Sequence, residues 1–231
     1  MDNTQLRNLS IVAGHYGAGK TNFAVNLAIW AKTVFPGLPV HAADLDIVNP
    51  YFRTADAVPL LLEHGIDPLI PAFANTNVDI PSLPPRMRGL IGSKNDVTIV
   101  DVGGDDGSVA LGMYRQAILE AGYSLFYVVN RFRPLIADPE DTVGCMIEIE
   151  RACGLRCTAL VNNSNLGAET TEKDIVDCVE YGRECARRCG IPLFCHVWCP
   201  EYAPDTPLFM EKAGYAEEPL FPIVNATKRL F

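Results

Sequence analysis

Gly14-His15-Tyr16-Gly17-Ala18-Gly19-Lys20-Thr21 follows the pattern G-x-x-x-x-G-K-[ST] without a gap. Glycines at these places let a backbone wrap tightly and turn several N–H groups inward, where they can bind phosphate oxygens. A helix opening at Lys20 adds the positive end of its dipole. Lys20 is placed to reach the β- and γ-phosphates of a nucleoside triphosphate, and Thr21 to put its hydroxyl on Mg2+. The pattern also arises by chance in glycine-containing turns. Here it runs out of an apolar stretch and into a helical one, the context that a phosphate loop requires.

Two further groups of residues could complete such a site. Asp101 ends the apolar run Val97 to Val100 and is followed by Gly103-Gly104. A carboxylate there can hold magnesium, and the Gly104 N–H can sense a γ-phosphate. The plainer alternative is a strand-end turn, for which Asp and Gly are good formers; Asp105 and Asp106 extend that acidic turn. Asp44-Leu-Asp46 closes a second apolar run, and in an extended segment its two carboxylates point to the same side. One of them could orient an attacking water, against the alternative of a solvated pair in a turn.

The elements that must carry these residues alternate. Strands are predicted at Leu9 to Ala13, Val40 to Ala43, near Ile66 to Ile70, and at Val97 to Val102. Others follow at Leu125 to Val129, Thr158 to Val161 and Leu193 to Val197. Helices are predicted over Lys20 to Val34, Val109 to Ala121, Pro139 to Cys153 and Thr171 to Cys189. Beyond about residue 200 the tail is Pro-rich, with one or two short helices and no motif. This alternation implies one α/β domain over residues 1–231, a doubly wound, mostly parallel sheet of the P-loop NTPase fold. Such sheets bind ligands at the carboxyl ends of their strands, where the glycine loop and the aspartates all fall.

Together the motifs resemble the MinD/ParA group of P-loop ATPases, which includes the nitrogenase iron protein and arsenite-pump ATPases. The resemblance rests on Gly14 to Ala28, Asp44-Leu-Asp46, Asp101-Val-Gly-Gly104 and Leu160-Val161-Asn162. It implies that residues Gly14, His15, Tyr16, Gly17, Ala18, Gly19, Lys20, Thr21, Asn22 and Gly104 surround ATP. It further implies that Thr21, Asp44 and Asp101 serve Mg2+, that Lys20 and Asp46 act in hydrolysis, and that Asn162 touches adenine. It also implies a nucleotide-dependent homodimer that sandwiches two ATP molecules. One position departs: the group carries a second lysine directly after the first glycine, and here that residue is His15, followed by Tyr16. A histidine is not a fixed charge near neutral pH. Arg53 is a candidate to replace that charge, against the plainer reading of a surface arginine. No Asn-Lys-x-Asp or Thr-Lys-x-Asp stretch occurs, so no carboxylate is in place to read guanine, which favours ATP.

Composition bounds the rest. The chain has 231 residues, 48% of them hydrophobic and 20% charged, with a formal net charge of −9. It can bury a sizeable core, and most of its surface would repel nucleic acid. Arg183, Arg187 and Arg188 form a basic cluster whose plainer reading is a solvated helix face. No apolar run approaches a membrane span, and no signal segment is seen, so a cytoplasmic location is expected with reduced thiols. All eight cysteines lie between residues 145 and 199. Cys195 and Cys199, next to His196, are the first candidates for a soft-metal site, although their spacing is not the usual C-x-x-C. Small core residues are the alternative. His41, in a predicted strand, reads as a packed, hydrogen-bonded histidine. Asn130 to Pro134 follows a strand at the ligand edge and could contact nucleotide or a partner, or be a plain loop.

Three functions follow as expectations. The first is an ATPase switch read by a protein partner. The second is an ATP-dependent metallochaperone or cluster-maturation factor using the cysteines. The third is a small-molecule kinase or amide-forming synthetase, for which no acceptor pocket is recognisable.

Overall fold

A computed structural model describes residues 5–45, 57–69 and 85–226. Asp46 and Arg53 lie outside the described residues, as do the last five residues of the tail.

The chain runs β1 (Leu9–Gly14), α1 (Lys20–Val34), β2 (Val40–Asp44), α2 (Val58–Glu63), β3 (Asp67–Leu69), α3 (Pro85–Leu90), β4 (Val97–Asp101), α4 (Gly104–Gly112) and α5 (Arg115–Ala121). It continues through β5 (Ser124–Val129), α6 (Pro139–Cys153), β6 (Ala159–Asn162), α7 (Glu172–Asp177), α8 (Val179–Cys189), β7 (Leu193–Trp198), α9 (Thr206–Lys212) and β8 (Leu220–Pro222). The strands form one parallel sheet in the order β3-β2-β4-β1-β5-β6-β7-β8. The predicted α/β class and P-loop NTPase fold are therefore observed. None of the described helices is long and apolar enough to cross a membrane.

The central strands read as unbroken apolar runs because both faces are covered. Their side chains alternate between two cores. On β5, Phe126 and Val128 face one core, and Leu125, Tyr127 and Val129 face the other. The first core holds an aromatic cluster that anchors α1. Phe23, three residues after Lys20, lies 5.5 Å from the ring of Phe221 and 6.1 Å from that of Phe126. Trp30 adds an edge contact to Phe221 at 5.8 Å. Such pairs contribute about 0.5–1.5 kcal/mol each beyond area burial, and here they hold the phosphate-loop helix against β5, β7 and β8.

Helix boundaries follow their caps. Asp138 accepts the Glu140 N–H at 3.1 Å, Pro139 occupies the first turn, and Gly154 closes α6 at φ 68°. Thr171 and Asp174 make a capping box on α7. Two predicted helices are each broken in two. The 109–121 helix starts earlier, at Gly104, and is interrupted after Gly112, where the Tyr114 N–H turns back to Leu111 O at 3.0 Å. Gly112 is needed there for close packing, since a Cβ would stand 3.1 Å from Ala152 O on α6. The 171–189 helix breaks at Cys178, whose N–H bonds Ile175 O and whose carbonyl accepts Asn162 Nδ2 at 2.8 Å. In the tail, α9 was expected and β8 was not. Three residues ending in proline carry no strand signal, and β8 exists because β7 offers an open edge.

At the opposite end of the strands, buried His41 bridges Asp67 (Nδ1, 2.9 Å) and Asp96 (Nε2, 3.1 Å). The expected hydrogen-bonded histidine is observed. It ties β2 to β3 and to the entry of β4. His41→Ala should lower unfolding free energy by about 1–3 kcal/mol in urea titrations, since it deletes two hydrogen bonds and leaves a cavity. An unchanged midpoint would show that the bridge contributes nothing.

Candidate functional site

The phosphate loop sits where β1 turns into α1. Two of its glycines have left-handed backbones, Gly17 at φ 75° and Gly19 at φ 85°. Gly14 is required by packing, because a Cβ there would lie 2.5 Å from Val128 O. At Gly19 a Cβ would lie 2.2 Å from Asn163 Nδ2. Ala18 N–H bonds His15 O at 3.1 Å and closes the loop's first turn. Lys20 is 7% exposed, and its Nζ donates to His15 O at 3.3 Å, so the ammonium is folded into the loop's own concavity. His15 is half-buried and Tyr16 is exposed at the loop's crest.

On one side of β1 lie β4 and β2. Asp44 and Asp101 are register partners at the ends of these strands, each 2% exposed. Backbone bonds draw the strand ends together: Leu45 N–H donates to Asp101 O at 2.8 Å, and Val102 N–H to Val12 O at 3.0 Å. Gly104 opens α4 just beyond, with Gly103 as its N-cap. The structure thus brings Lys20, Thr21, Asp44, Asp101 and Gly104 to one sheet edge.

On the other side of β1, a cavity of about 480 Å³ opens against the loop. Gly17, Gly19, Lys20, Thr21 and Asn22 form one end. Asn130, Phe132 and Arg133 beyond β5, and Asn163, Asn165 and Leu166 beyond β6, form one wall. Trp198 at the end of β7, with Cys199 and Tyr202 beyond it, forms another, and Ile223 and Asn225 of the tail close it. Among the described lining residues Lys20 and Arg133 are the charged ones, and none is a carboxylate.

Three findings were not foreseen in the sequence. Asn163, not Asn162, faces the cavity, and its Nδ2 donates to Ala18 O at 2.7 Å. Asn162 is buried instead, bonded to Cys178 O, to His196 Nδ1 at 2.8 Å, and to Ser164 Oγ at 2.6 Å. The expected adenine contact by Asn162 is corrected accordingly: its amide is spent on joining β6, α8 and β7. The buried side chain of its neighbour Asn163 turns to the phosphate loop instead. Second, the tail is part of the site. Asn26 and Val224 exchange two bonds of 2.9 Å each, and Asn22 Oδ1 accepts the Ala226 N–H at 2.9 Å. Third, Arg133 Nε donates to Gly17 O at 2.8 Å.

The cysteines do not assemble into a metal centre. Among the described residues no group of three or more His, Cys, Asp or Glu could hold a metal ion. Cys195 is wholly buried in the aromatic core, which pushes its thiol well above the usual range. Cys199 stands on the cavity wall, and desolvation raises its thiol as well. The expected Cys195–Cys199 pair is corrected to a core residue and a cavity-wall residue, which do not face one common site. His196 is committed to Asn162 and, at 3.0 Å, to Glu218. Arg183, Arg187 and Arg188 are ion-paired to Glu180, Glu218, Glu184 and Glu140, which leaves no basic patch in that cluster.

The sequence matches no protein-family model and shows no significant similarity to a curated protein. Solved structures do share its fold. The signal recognition particle 54 kDa protein from Aeropyrum pernix K1, in complex with GDP, superposes with a TM-score of 0.51 at 15% identity, over 81% of this chain and 40% of that one. FtsY from Mycoplasma mycoides gives 0.51 at 14% identity, over 82% and 59%. The cell division protein FtsY from Thermotoga maritima gives 0.51 at 16%, over 81% and 60%. This chain therefore spans about half the length of these structural neighbours, and at such identities the likeness is one of fold.

Proposed function

We propose that this chain is a magnesium-dependent ATP-binding protein of the MinD/ParA type, an ATPase whose nucleotide state is read by a protein partner. The observation that carries the reading is the cavity. It is continuous with the phosphate loop, holds two cations in a chain of net charge −9, and is lined by Asn130, Asn163, Asn165 and Asn225 with no carboxylate. Guanine presents two neighbouring N–H donors that a carboxylate would accept. Adenine presents a donor beside an acceptor, which backbone N–H and C=O groups match without a carboxylate. The base selection proposed here therefore differs from that of the GDP-bound neighbour.

The donor set also fits magnesium. Asp44 and Asp101 supply two buried carboxylates and Thr21 a hydroxyl, all hard oxygens, and Mg2+ is usually held by one or two carboxylates together with substrate phosphates. When bound, the ion would neutralise charge developing on the phosphates. Lys20 grips the phosphates, the loop amides orient them, and Asn163 holds the loop's shape through Ala18 O. Asp46 as the residue that positions water is carried by the resemblance. Loss of the γ-phosphate would release the segments after Asp46 and Asp101, the change that a partner reads, a second copy of the chain included.

Equilibrium titration of the full chain with Mg-ATP and Mg-GTP tests the reading. ATP should bind more tightly by about 5- to 150-fold, the equivalent of about 1–3 kcal/mol for one well-placed amide pair. Equal or inverted preference would remove the adenine assignment, and no binding of either would remove the reading itself.

A further inference from the structure

Arg133 belongs to no part of the phosphate-loop motif, yet the fold seats it on that loop. Its backbone is held by a built turn: Arg133 N–H donates to Asn130 O at 3.0 Å, Phe132 N–H to Asn130 Oδ1 at 3.0 Å, and Ile136 N–H to Arg133 O at 3.0 Å. Ile136 then buries itself in the core. From this base the side chain lies across Gly17, with Nε donating to Gly17 O and standing 3.3 Å from where a Cβ would be. A side chain at position 17 would press on the guanidinium.

A guanidinium has five N–H donors, and Gly17 takes one. Among the described residues Arg133 has no carboxylate within ion-pair distance, unlike Arg183, Arg187 and Arg188. The residue is exposed and lines the cavity together with Lys20.

Topology indicates which phosphates it would meet. β5 flanks β1 on one side, and β4 and β2 lie on the other with Asp101 and Asp44. A nucleotide with its terminal phosphate toward those carboxylates and its base in the cavity must pass its inner phosphates beside Arg133. We infer that Arg133 is a second fixed cation of the phosphate site, acting within its own chain on the α- and β-phosphates. This inference rests on the ATP reading above. It gives the site the permanent charge that His15 does not supply, from a residue 118 positions further along the chain.

A role confined to steadying Gly17 O needs one N–H donor, which glutamine also has. The test is calorimetry of the full chain as wild type, Arg133→Gln and Arg133→Lys, with Mg-ATP and Mg-ADP over a series of NaCl concentrations. R133Q should weaken both nucleotides by a similar factor, about tenfold or more, and flatten the dependence of affinity on salt. R133K should recover most of the affinity and the salt dependence. Wild-type affinity in R133Q would overturn the inference, as would weakening with an unchanged salt dependence or an equal loss in R133K. In each of those cases wild-type binding keeps the ATP reading intact. A wild type that binds no nucleotide overturns that reading and the inference together.

Discussion

Lys20→Ala should lower the affinity for Mg-ATP by about two to three orders of magnitude, the cost of removing one side of a desolvated charge contact. It should also abolish measurable turnover. The size of the effect follows from placement. The ammonium is nearly buried at the start of α1, folded onto His15 O inside the loop that it serves. Phosphate oxygens would replace that carbonyl as its partners, with water already largely excluded. Alanine leaves the loop intact, because its shape comes from Gly17, Gly19 and the Asn163–Ala18 bond rather than from the lysine. The variant should therefore melt like wild type while failing to bind in calorimetry. Retained binding with a wild-type melting curve would show that the loop's amides suffice and that Lys20 has another role.

The second large effect belongs to Asp101. Asp101→Asn keeps the shape of the side chain and removes a buried charge next to Asp44. ATP turnover should fall by about 10²–10³-fold, the range seen when one preorganised electrostatic contact to a transition state is lost. Its affinity for ATP should also rise much less on adding Mg2+ than that of wild type. Measuring both quantities separates a magnesium role from a structural one, because a merely structural Asp101 would lower stability and leave the magnesium dependence unchanged. Asp44→Asn serves as the paired variant. If it alone loses the magnesium response, the two carboxylates exchange roles.

The phosphate loop, α1 and the strand ending in Asp101 were legible in the sequence because each is specified locally. Glycine spacing, an apolar run and a helical face sit within a few residues of one another. Of the cavity wall only Asn130 to Pro134 was marked as a candidate nucleotide contact, against the reading of a plain loop. The wall's residues come from four separate connections after β5, β6, β7 and β8, and only the strand order brings them together. Asn163 was missed by one position, since the phase at a strand end cannot be read from four residues of which three are amides. The tail carried no motif, yet Asn225 and Ile223 close the cavity and Val224 is bolted to Asn26. The paired thiols at a spacing of four suggested chelation, but that spacing equally suits small side chains filling a core, which is where Cys195 lies.

One cavity, bounded by the phosphate loop and by residues at the ends of β5, β6, β7 and β8, is proposed to hold ATP. Amide hydrogen exchange of the full chain, with and without Mg-ATP, tests it directly. Exchange should slow in residues 14–22 and, together with them, in 130–133, 163–168 and 223–226, with the His41 bridge unaffected. Protection confined to other parts of the chain, or no change at saturating ATP, would contradict it.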